Sequence, residues 1–229
     1  MASYRMMYRL KFSWCVGLIL ISLYGSGQTQ PAAQPYPFES EIRAFEKADS
    51  VSPPPRNPIV FTGSSSIRLW ENLQTTFPGK PVLQRGFGGS VLSQVLHFAD
   101  RIIIPYQPKQ VVVYAGENDI ASGQTGQQTY ERFVALFEYV RKKLPNVQFS
   151  FISIKPSPSR RQFFAEVDVA NRLIKDYLAK QRHTDFIDIR PVMLGKNGQP
   201  VSSLFKPDSL HMLPEGYKRW TAVVGPYLK

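Results

Sequence analysis

The chain has 229 residues, 43% of them hydrophobic and 13% aromatic, which is enough apolar material for one globular domain with a substantial core. Its formal charge of +11 comes from dispersed lysines and arginines, without the basic stripe and interleaved aromatics of nucleic-acid binding, so we expect no nucleic-acid partner. The three scattered histidines include no HExxH pair, which argues against a metal site.

Residues 1–27 have the pattern of a secretory signal peptide. Arg5, Arg9 and Lys11 precede a charge-free apolar run over residues 12–24, and the small residues that follow offer a cleavage site near Gly27. The run is shorter than the roughly 20 apolar residues of a membrane-spanning helix, so a signal peptide is favoured over an uncleaved anchor.

Cleavage would change what the mature protein carries. It would remove the only cysteine, Cys15, and with the three basic residues it would bring the formal charge from +11 to +8. The mature chain then has no disulfide, thiol nucleophile or thiolate metal ligand. We expect an exported protein, periplasmic or secreted, without stable membrane insertion. A basic exported protein fits acidic glycans or anionic surfaces as surroundings.

Residues 28–57 are predicted to form a tether and an N-terminal helix. Residues 28–37 are rich in Gln, Pro and Ala, as connectors are. Phe38, Ile42 and Phe45 fall at helical spacing and predict a short helix that packs on the main body. The proline run 53–55 ends this helix, because proline cannot continue it.

From residue 58 to residue 229, strand-like and helical patterns alternate. Apolar, strand-like runs lie at residues 58–62, 81–84, 110–114, 147–154 and 184–189. Helical patterns with one apolar face separate them, one of which runs over residues 91–102 with Val91, Val95, Phe98 and Ile102 on a shared face. A last helix begins at Pro214. Continuously apolar strands between helices indicate a parallel sheet covered on both faces. The sequence therefore predicts one α/β domain, a flavodoxin-like three-layer α/β/α sandwich with about five parallel strands.

Two small-residue segments follow predicted strands, at the sheet edge where such folds form their sites. Ser64, Ser65 and Ser66 come directly after the first strand and Gly63. A serine in this turn would face substrate at the start of a helix, although serines here also serve as plain helix caps. Residues 86–90 contain three glycines, which let a backbone N–H approach a ligand closely or simply form a tight turn.

Two further segments carry polar side chains. Asn118, after the third strand, offers an amide donor to a developing oxyanion, or forms an Asx turn. Asp208 lies three residues before His211, where its carboxylate can fix the imidazole tautomer and leave the ring free as a general base. His97 and His183 have no partner at a comparable spacing, so we expect structural roles for both.

In this order and spacing, the four segments resemble the SGNH (GDSL-like) hydrolases, similar to platelet-activating-factor acetylhydrolase subunits and carbohydrate acetylesterases. The resemblance spans residues 58–229 and implies a serine esterase that needs no cofactor. It implies that Ser65 is the nucleophile of a triad with Asp208 and His211. The oxyanion would be held by the N–H groups of Ser65 and Gly89 and by the side chain of Asn118.

The sequence departs from the family pattern at two positions. Ser64 replaces the acidic residue usual before the nucleophile, and Ser90 replaces an acidic residue often found after the glycine of the second segment. Gapless register favours Ser65 over Ser64 or Ser66 as the nucleophile. Neither change removes a catalytic function, because no proton transfer is assigned to these two positions.

The function expected is an exported serine esterase that hydrolyses short-acyl esters, acetyl esters above all, on carbohydrate. A lysophospholipase or thioesterase is the close alternative, with Trp70, Phe87 and Phe163–Phe164 lining an apolar groove unless they serve only core packing. A glycan O-acyltransferase and a non-catalytic glycan-binding module are further alternatives. A binding module would need no Asp-His pair.

Overall fold

The structure is a computed structural model that describes Ala2 and residues 36–229. The predicted signal peptide, apart from Ala2, and the tether up to residue 35 lie outside the described residues. Residues 36–229 form one compact unit, which includes the predicted N-terminal helix. None of the helices in this unit is both long and apolar enough to cross a membrane.

Five parallel strands form the central sheet, as predicted, in the order β2-β1-β3-β4-β5. They are β1 Ile59–Gly63, β2 Val82–Gly86, β3 Gln110–Tyr114, β4 Gln148–Ile152 and β5 Thr184–Ile187. The chain runs from β1 outward to β2 and then returns past β1 to β3. Strand order therefore reverses beside β1, and a crevice at the carboxyl ends of β1 and β3 is where such sheets place a ligand.

The helices alternate with the strands along the chain. They are α1 Glu39–Val51, α2 Ser65–Arg68, α3 Leu73–Thr76, α4 Leu92–His97, α5 Ala99–Ile102, α6 Glu117–Ala121, α7 Gly126–Lys143, α8 Phe164–Leu178, α9 Arg190–Met193 and α10 Pro214–Val224. Short 3₁₀ turns lie at Ile104–Tyr106, Pro158–Phe163, Ser202–Leu204 and Gly225–Tyr227.

Side chains of the sheet pack into two separate apolar layers. Val111 and Val113 of β3 belong to one core cluster, and Val112 and Tyr114 to the other. Successive residues of a strand point to opposite faces, so each face of the sheet carries its own layer of helices. This confirms the predicted three-layer α/β/α sandwich.

Two predicted elements are shorter than their sequence patterns. The run 147–154 leaves the sheet after Ile152, because both backbone groups of Ile154 pair with the side-chain amide of Asn171 at 2.8 and 3.0 Å. The helical pattern over residues 91–102 is interrupted at Phe98, which joins α4 to α5. Side-chain hydrogen bonding and a local break thus override periodicity at these points.

A buried ion pair lies between the start of α6 and the segment after β4. Lys155 is 1% exposed, and its ammonium contacts the carboxylate of Glu117, which is 6% exposed. Tyr114 Oη donates to this carboxylate at 2.9 Å, and Ser157 Oγ donates to its other oxygen at 2.5 Å. Burial first, and then the Glu117 carboxylate, raise the pKa of Tyr114 well above its usual range, so the phenol stays protonated.

The substitution Lys155→Met should lower the free energy of unfolding by about 3–5 kcal/mol, because it leaves a buried carboxylate without a counter-charge. Urea unfolding of the full chain measures the effect. Lys47→Met, at an exposed site on α1, is the control and should change stability little. The double variant Lys155→Met/Glu117→Gln should recover part of the loss. A Lys155→Met protein as stable as the wild type would contradict the buried pair.

Candidate active site

Ser65 begins α2 immediately after β1, in a turn that the neighbouring strand dictates. Gly63 has φ +123°, and a Cβ at this position would lie 1.9 Å from the carbonyl oxygen of Tyr114, so a side chain does not fit. Ser64 N–H donates to the same Tyr114 oxygen at 2.9 Å. This close approach of β1 to β3 turns the chain and leaves Ser65 9% exposed, against 2% for Ser64 and Ser66.

Ser65, His211 and Asp208 form one chain of hydrogen-bonding contacts. Ser65 Oγ lies 3.0 Å from His211 Nε2, and His211 Nδ1 lies 2.7 Å from Asp208 Oδ2. An ionised Asp208 accepts from Nδ1–H, so Nε2 is left as the acceptor for the serine hydroxyl. The arrangement can therefore remove a proton from Ser65 and make it a nucleophile.

Asp208 is held in its ionised form. Partial burial acts to raise its pKa, but the opposing hydrogen bonds outweigh burial and lower the pKa to about 2. These bonds come from the His211 side chain and from the backbone N–H groups of His211 and Leu210, both of which donate to Oδ1 at 2.9 Å. The carboxylate is thus available to orient and stabilise an imidazolium at neutral pH.

Hydrogen bonds hold residues 206–212, the histidine segment, to neighbouring parts of the chain. Ser209 has φ +57°, and its carbonyl accepts from both the N–H and the hydroxyl of Ser159, at 3.0 and 2.9 Å. Lys206 N–H donates to the carbonyl of His211 at 2.7 Å. In α10, Tyr217 Oη donates to the carbonyl of Ser66 at 3.0 Å. These bonds connect the histidine segment to α2 and to the segment after β4.

Gly89 and Asn118 meet at the edge of the sheet from which Ser65 also projects. Gly63 pairs with Gly86 in the register of β1 and β2, so the segment after β2 leaves the same edge of the sheet as Ser65. Gly89 is exposed, and a Cβ on it would lie 3.6 Å from Asn118 Nδ2. Within residues 36–229, the backbone N–H groups of Ser65 and Gly89 donate to no protein acceptor. Both are therefore free to bind an oxyanion.

A buried carboxylate connects the segments of Gly89 and Asn118. Asp119 is fully buried, and its Oδ2 accepts from the N–H of Leu92 at 3.0 Å. Arg132 compensates the charge through a contact of 3.0 Å to Oδ1. Asn118 Nδ2 itself donates to the carbonyl of Ser90 at 3.3 Å. The start of α4 and the start of α6 are thus held together.

The two departures from the family pattern are both buried serines. Ser64 contributes backbone hydrogen bonds, because its carbonyl accepts from the N–H groups of Ile67 and Arg68 at 2.9 and 3.2 Å. Ser90 Oγ is buried and has no hydrogen-bond partner in the described part of the chain. Because these bonds of Ser64 are made by its backbone, the structure offers no explanation for the hydroxyl at either position.

The other two histidines, His97 and His183, make contacts with other residues. His97 stacks on Tyr36 with ring centroids 3.7 Å apart, and the carbonyl of His183 accepts from Phe149 N–H at 2.9 Å. Neither has a carboxylate partner among the described residues. The same residues contain no group of three or more His, Cys, Asp or Glu side chains arranged to hold a metal.

A cavity of about 430 Å³ lies between α2, α3 and α10, next to the histidine segment. Its lining is mixed: the apolar residues are Leu69, Met212 and Pro214, and the polar ones are Glu71, Asn72, Thr76, Lys206, Tyr217, Lys218 and Thr221. Trp70 contributes to the wall but is only 2% exposed and packs against Phe77 and Trp220. Phe87 is fully buried. Core packing, the alternative interpretation, is therefore what these two aromatics do. Phe163 and Phe164 are half-buried, and Phe163 packs against the core cluster on the other face of the sheet from Trp70.

Two groups of residues that support the site carry little or no signal in the sequence. One is the Glu117–Lys155 pair, for which a lysine just after a long apolar run was the available signal. The other is Glu41 of α1, whose carboxylate accepts from Gly88 N–H at 2.9 Å. No pattern in the sequence connects Glu41 with residues 86–90, the glycine segment, because 47 residues separate Glu41 from Gly88.

Comparisons with known proteins agree with this architecture. The sequence model of the GDSL-like Lipase/Acylhydrolase family matches residues 59–219. A search of curated proteins found no match. Among solved structures, the chain is similar to a candidate platelet activating factor from Streptococcus pneumoniae, with 18% identity, a TM-score of 0.72, and coverage of 83% of this chain and 92% of that one.

Two further structures share the fold. One is a GDSL-like lipase from Bacteroides thetaiotaomicron, with 20% identity, a TM-score of 0.68, and coverage of 82% of this chain and 97% of that one. The other is a family 3 carbohydrate esterase from Clostridium thermocellum, with 15% identity, a TM-score of 0.59, and coverage of 74% and 93%. The match of the family model over most of the sequence shows that this chain belongs to the GDSL-like lipase/acylhydrolase family and is a carboxylic ester hydrolase.

Proposed function

We propose that the protein is an exported serine esterase that removes short acyl groups, acetyl groups above all, from carbohydrate esters. The observation that carries the proposal is the pair of contacts from Ser65 Oγ to His211 Nε2, 3.0 Å, and from His211 Nδ1 to Asp208, 2.7 Å. Contacts of this length let a histidine act as general base toward a serine.

In the proposed mechanism, Ser65 Oγ attacks the ester carbonyl while His211 Nε2 takes the hydroxyl proton. Asp208 stabilises the resulting imidazolium. The oxyanion accepts hydrogen bonds from the N–H groups of Ser65 and Gly89 and from Asn118 Nδ2. Collapse of the intermediate releases the alcohol, which takes the proton from His211. Water then attacks the acyl-enzyme, His211 again acting as base, and free Ser65 is restored with the carboxylic acid as product.

Two observations favour a short acyl group on a polar alcohol. Of the four aromatic residues suggested for a long apolar groove, Trp70 and Phe87 are 2% and 0% exposed, and Phe163 and Phe164 are half-buried. The cavity beside the histidine segment carries hydroxyl, amide and charged groups among apolar ones, so it offers hydrogen-bonding partners to the hydroxyl groups of a sugar. The fold shared with a carbohydrate esterase is consistent with such a substrate.

Export is proposed from the sequence pattern of residues 1–27 and from the basic composition. An esterase outside the cytoplasm would meet acylated polysaccharides directly. A basic surface would also favour acidic glycans over neutral ones at low salt. The nucleophile tolerates this location well, because a serine, unlike a thiol, is not oxidised there.

Ser65→Ala should abolish ester hydrolysis, with a loss of about 10⁶-fold in kcat, because no other group replaces the nucleophile. Turnover of p-nitrophenyl esters from acetate to decanoate measures both the loss and the chain-length preference, which we expect to peak at acetate. Ser64→Ala is the matched control and should keep activity within a few fold.

Other outcomes of this assay would select an alternative. Loss of activity in Ser64→Ala but not in Ser65→Ala would refute the assigned register. A peak at decanoate would favour a lipid esterase. An acylated sugar that forms only when excess glycan is added would favour an O-acyltransferase over a hydrolase.

Asn118→Ala should lower kcat by about 10²–10³-fold and change KM little, because the amide donates mainly to the charge that develops in the transition state. Steady-state kinetics together with the melting temperature separate this effect from unfolding. Asn146→Ala, on an exposed turn, is the control. Full activity of the Asn118→Ala protein would exclude this residue from the oxyanion site.

Asp208 should titrate at about pH 2 and shift upward toward the ordinary value near 4 in His211→Ala, which removes the side-chain hydrogen bond. Carboxyl NMR titration measures both values. Because the pKa is lower in the folded than in the unfolded protein, this group stabilises the fold above about pH 4, and the contribution disappears as the pH falls toward 2. An unchanged pKa in His211→Ala would show that the imidazole does not hold the carboxylate.

A further inference from the structure

We propose that Glu41 of α1 is a positioning residue for the esterase reaction, because its carboxylate fixes the backbone that presents Gly89 N–H to the oxyanion. The inference rests on the proposed function, in which Gly89 is an oxyanion donor. Helix α1 precedes residues 59–219, the part of the chain that the family model matches. The N-terminal helix would thus add to the site from outside that part.

The contact is a hydrogen bond to a charged acceptor at the residue before the donor. Gly88 N–H donates to Glu41 Oε2 at 2.9 Å. Bonds of this kind to a carboxylate are stronger than those to a neutral oxygen. Gly88 is buried and Gly89 is exposed, so the bond holds the inner residue of the pair while the outer one faces solvent. Fixing the Gly88 backbone fixes the direction of the next N–H, that of Gly89.

The ring of Phe38, at the start of α1, holds the same glycine from a second direction. Gly88 has φ +36°, and a Cβ on it would lie 2.0 Å from the Phe38 ring. Phe38 also packs edge-on against Phe87, with ring centroids 5.5 Å apart. Phe38 itself has φ +71°, an unfavourable conformation for an aromatic residue that persists where packing over-determines it. The first turn of α1 is therefore fitted to the glycine segment.

The docking of α1 does not depend on Glu41. Ile42 is fully buried in the core, and Arg101 binds Glu39 at 2.7 Å and Glu46 at 2.6 Å. Asp49, near the end of the helix, pairs with Arg85. Loss of the Glu41 carboxylate would therefore release Gly88 while the helix stays in place.

Glu41 also lies close to the nucleophile's helix. Its Oε2 is 3.9 Å from Arg68 Nε, at the last residue of α2, which Ser65 begins. The carboxylate thus stands between the two segments that supply backbone donors to the oxyanion. A displacement of about 1 Å in such donors can cost up to about 10²-fold in rate, since the geometry of the transition state is what they recognise.

The test compares Glu41→Ala, Glu41→Gln and Glu46→Ala in the full chain. The glutamine keeps an oxygen that can accept from Gly88 N–H, and Glu46→Ala removes a docking contact of the same helix without touching the glycine segment. The readouts are kcat and KM on p-nitrophenyl acetate, the melting temperature, and amide hydrogen exchange at Gly88.

We expect Glu41→Ala to lower kcat at least about tenfold with KM nearly unchanged, and to accelerate exchange at Gly88. Glu41→Gln should stay within about threefold of the wild type. Glu46→Ala should keep the wild-type kcat, whatever its melting temperature. A merely structural role for Glu41 would change the melting temperature and leave kcat unaltered.

Three results would overturn the proposal: a wild-type kcat in Glu41→Ala, an equal loss in Glu46→Ala, or a Glu41→Gln protein as slow as Glu41→Ala. Failure of the proposed function would give a different result: either the wild type would hydrolyse no ester, or Ser65→Ala would keep the wild-type activity. If the wild type hydrolyses no ester, hydrogen exchange decides, since unchanged protection of Gly88 in Glu41→Ala refutes the anchor itself.

Discussion

The site depends on how closely β1 and β3 approach at their carboxyl ends. The Tyr114 carbonyl occupies the place where a Gly63 side chain would stand, and it accepts the N–H of Ser64. Backbone at this distance admits only glycine, and the chain must turn at once into α2. The turn exposes Ser65 at the sheet edge, and the same tyrosine supports the buried pair of Glu117 and Lys155 through its hydroxyl.

Side chains outside the proposed catalytic set hold the four segments together. Asp119 fixes the start of α4 beside the helix of Asn118, and Ser159 fixes the carbonyl of Ser209 next to Asp208. The buried pair joins α6 to the segment after β4. Such contacts keep donors and acceptors oriented before substrate arrives, which is the condition for electrostatic stabilisation of a transition state.

Hydrophobic periodicity was sufficient to predict the five strands, the parallel sheet and the layered fold, because strands buried on both faces are continuously apolar. Periodicity failed where a side chain competes with the regular pattern. The side chain of Asn171 takes the backbone hydrogen bonds of Ile154 that a neighbouring strand would otherwise make, so β4 ends early. A break at Phe98 divides one predicted helix into α4 and α5. The polar partners of Lys155 and Glu41 were likewise invisible, since such contacts leave no periodic signal.

The sequence by itself determined the chemical types of the site residues, their order and their attachment to strand ends and helix starts. Only the tertiary structure decided which of them touch. Ser65 and His211 are 146 residues apart in the chain and 3.0 Å apart in space, and Glu41 reaches Gly88 across 47 residues. Local sequence sets local conformation, whereas these distances follow from the order of the strands in the sheet and from the packing of helices on it.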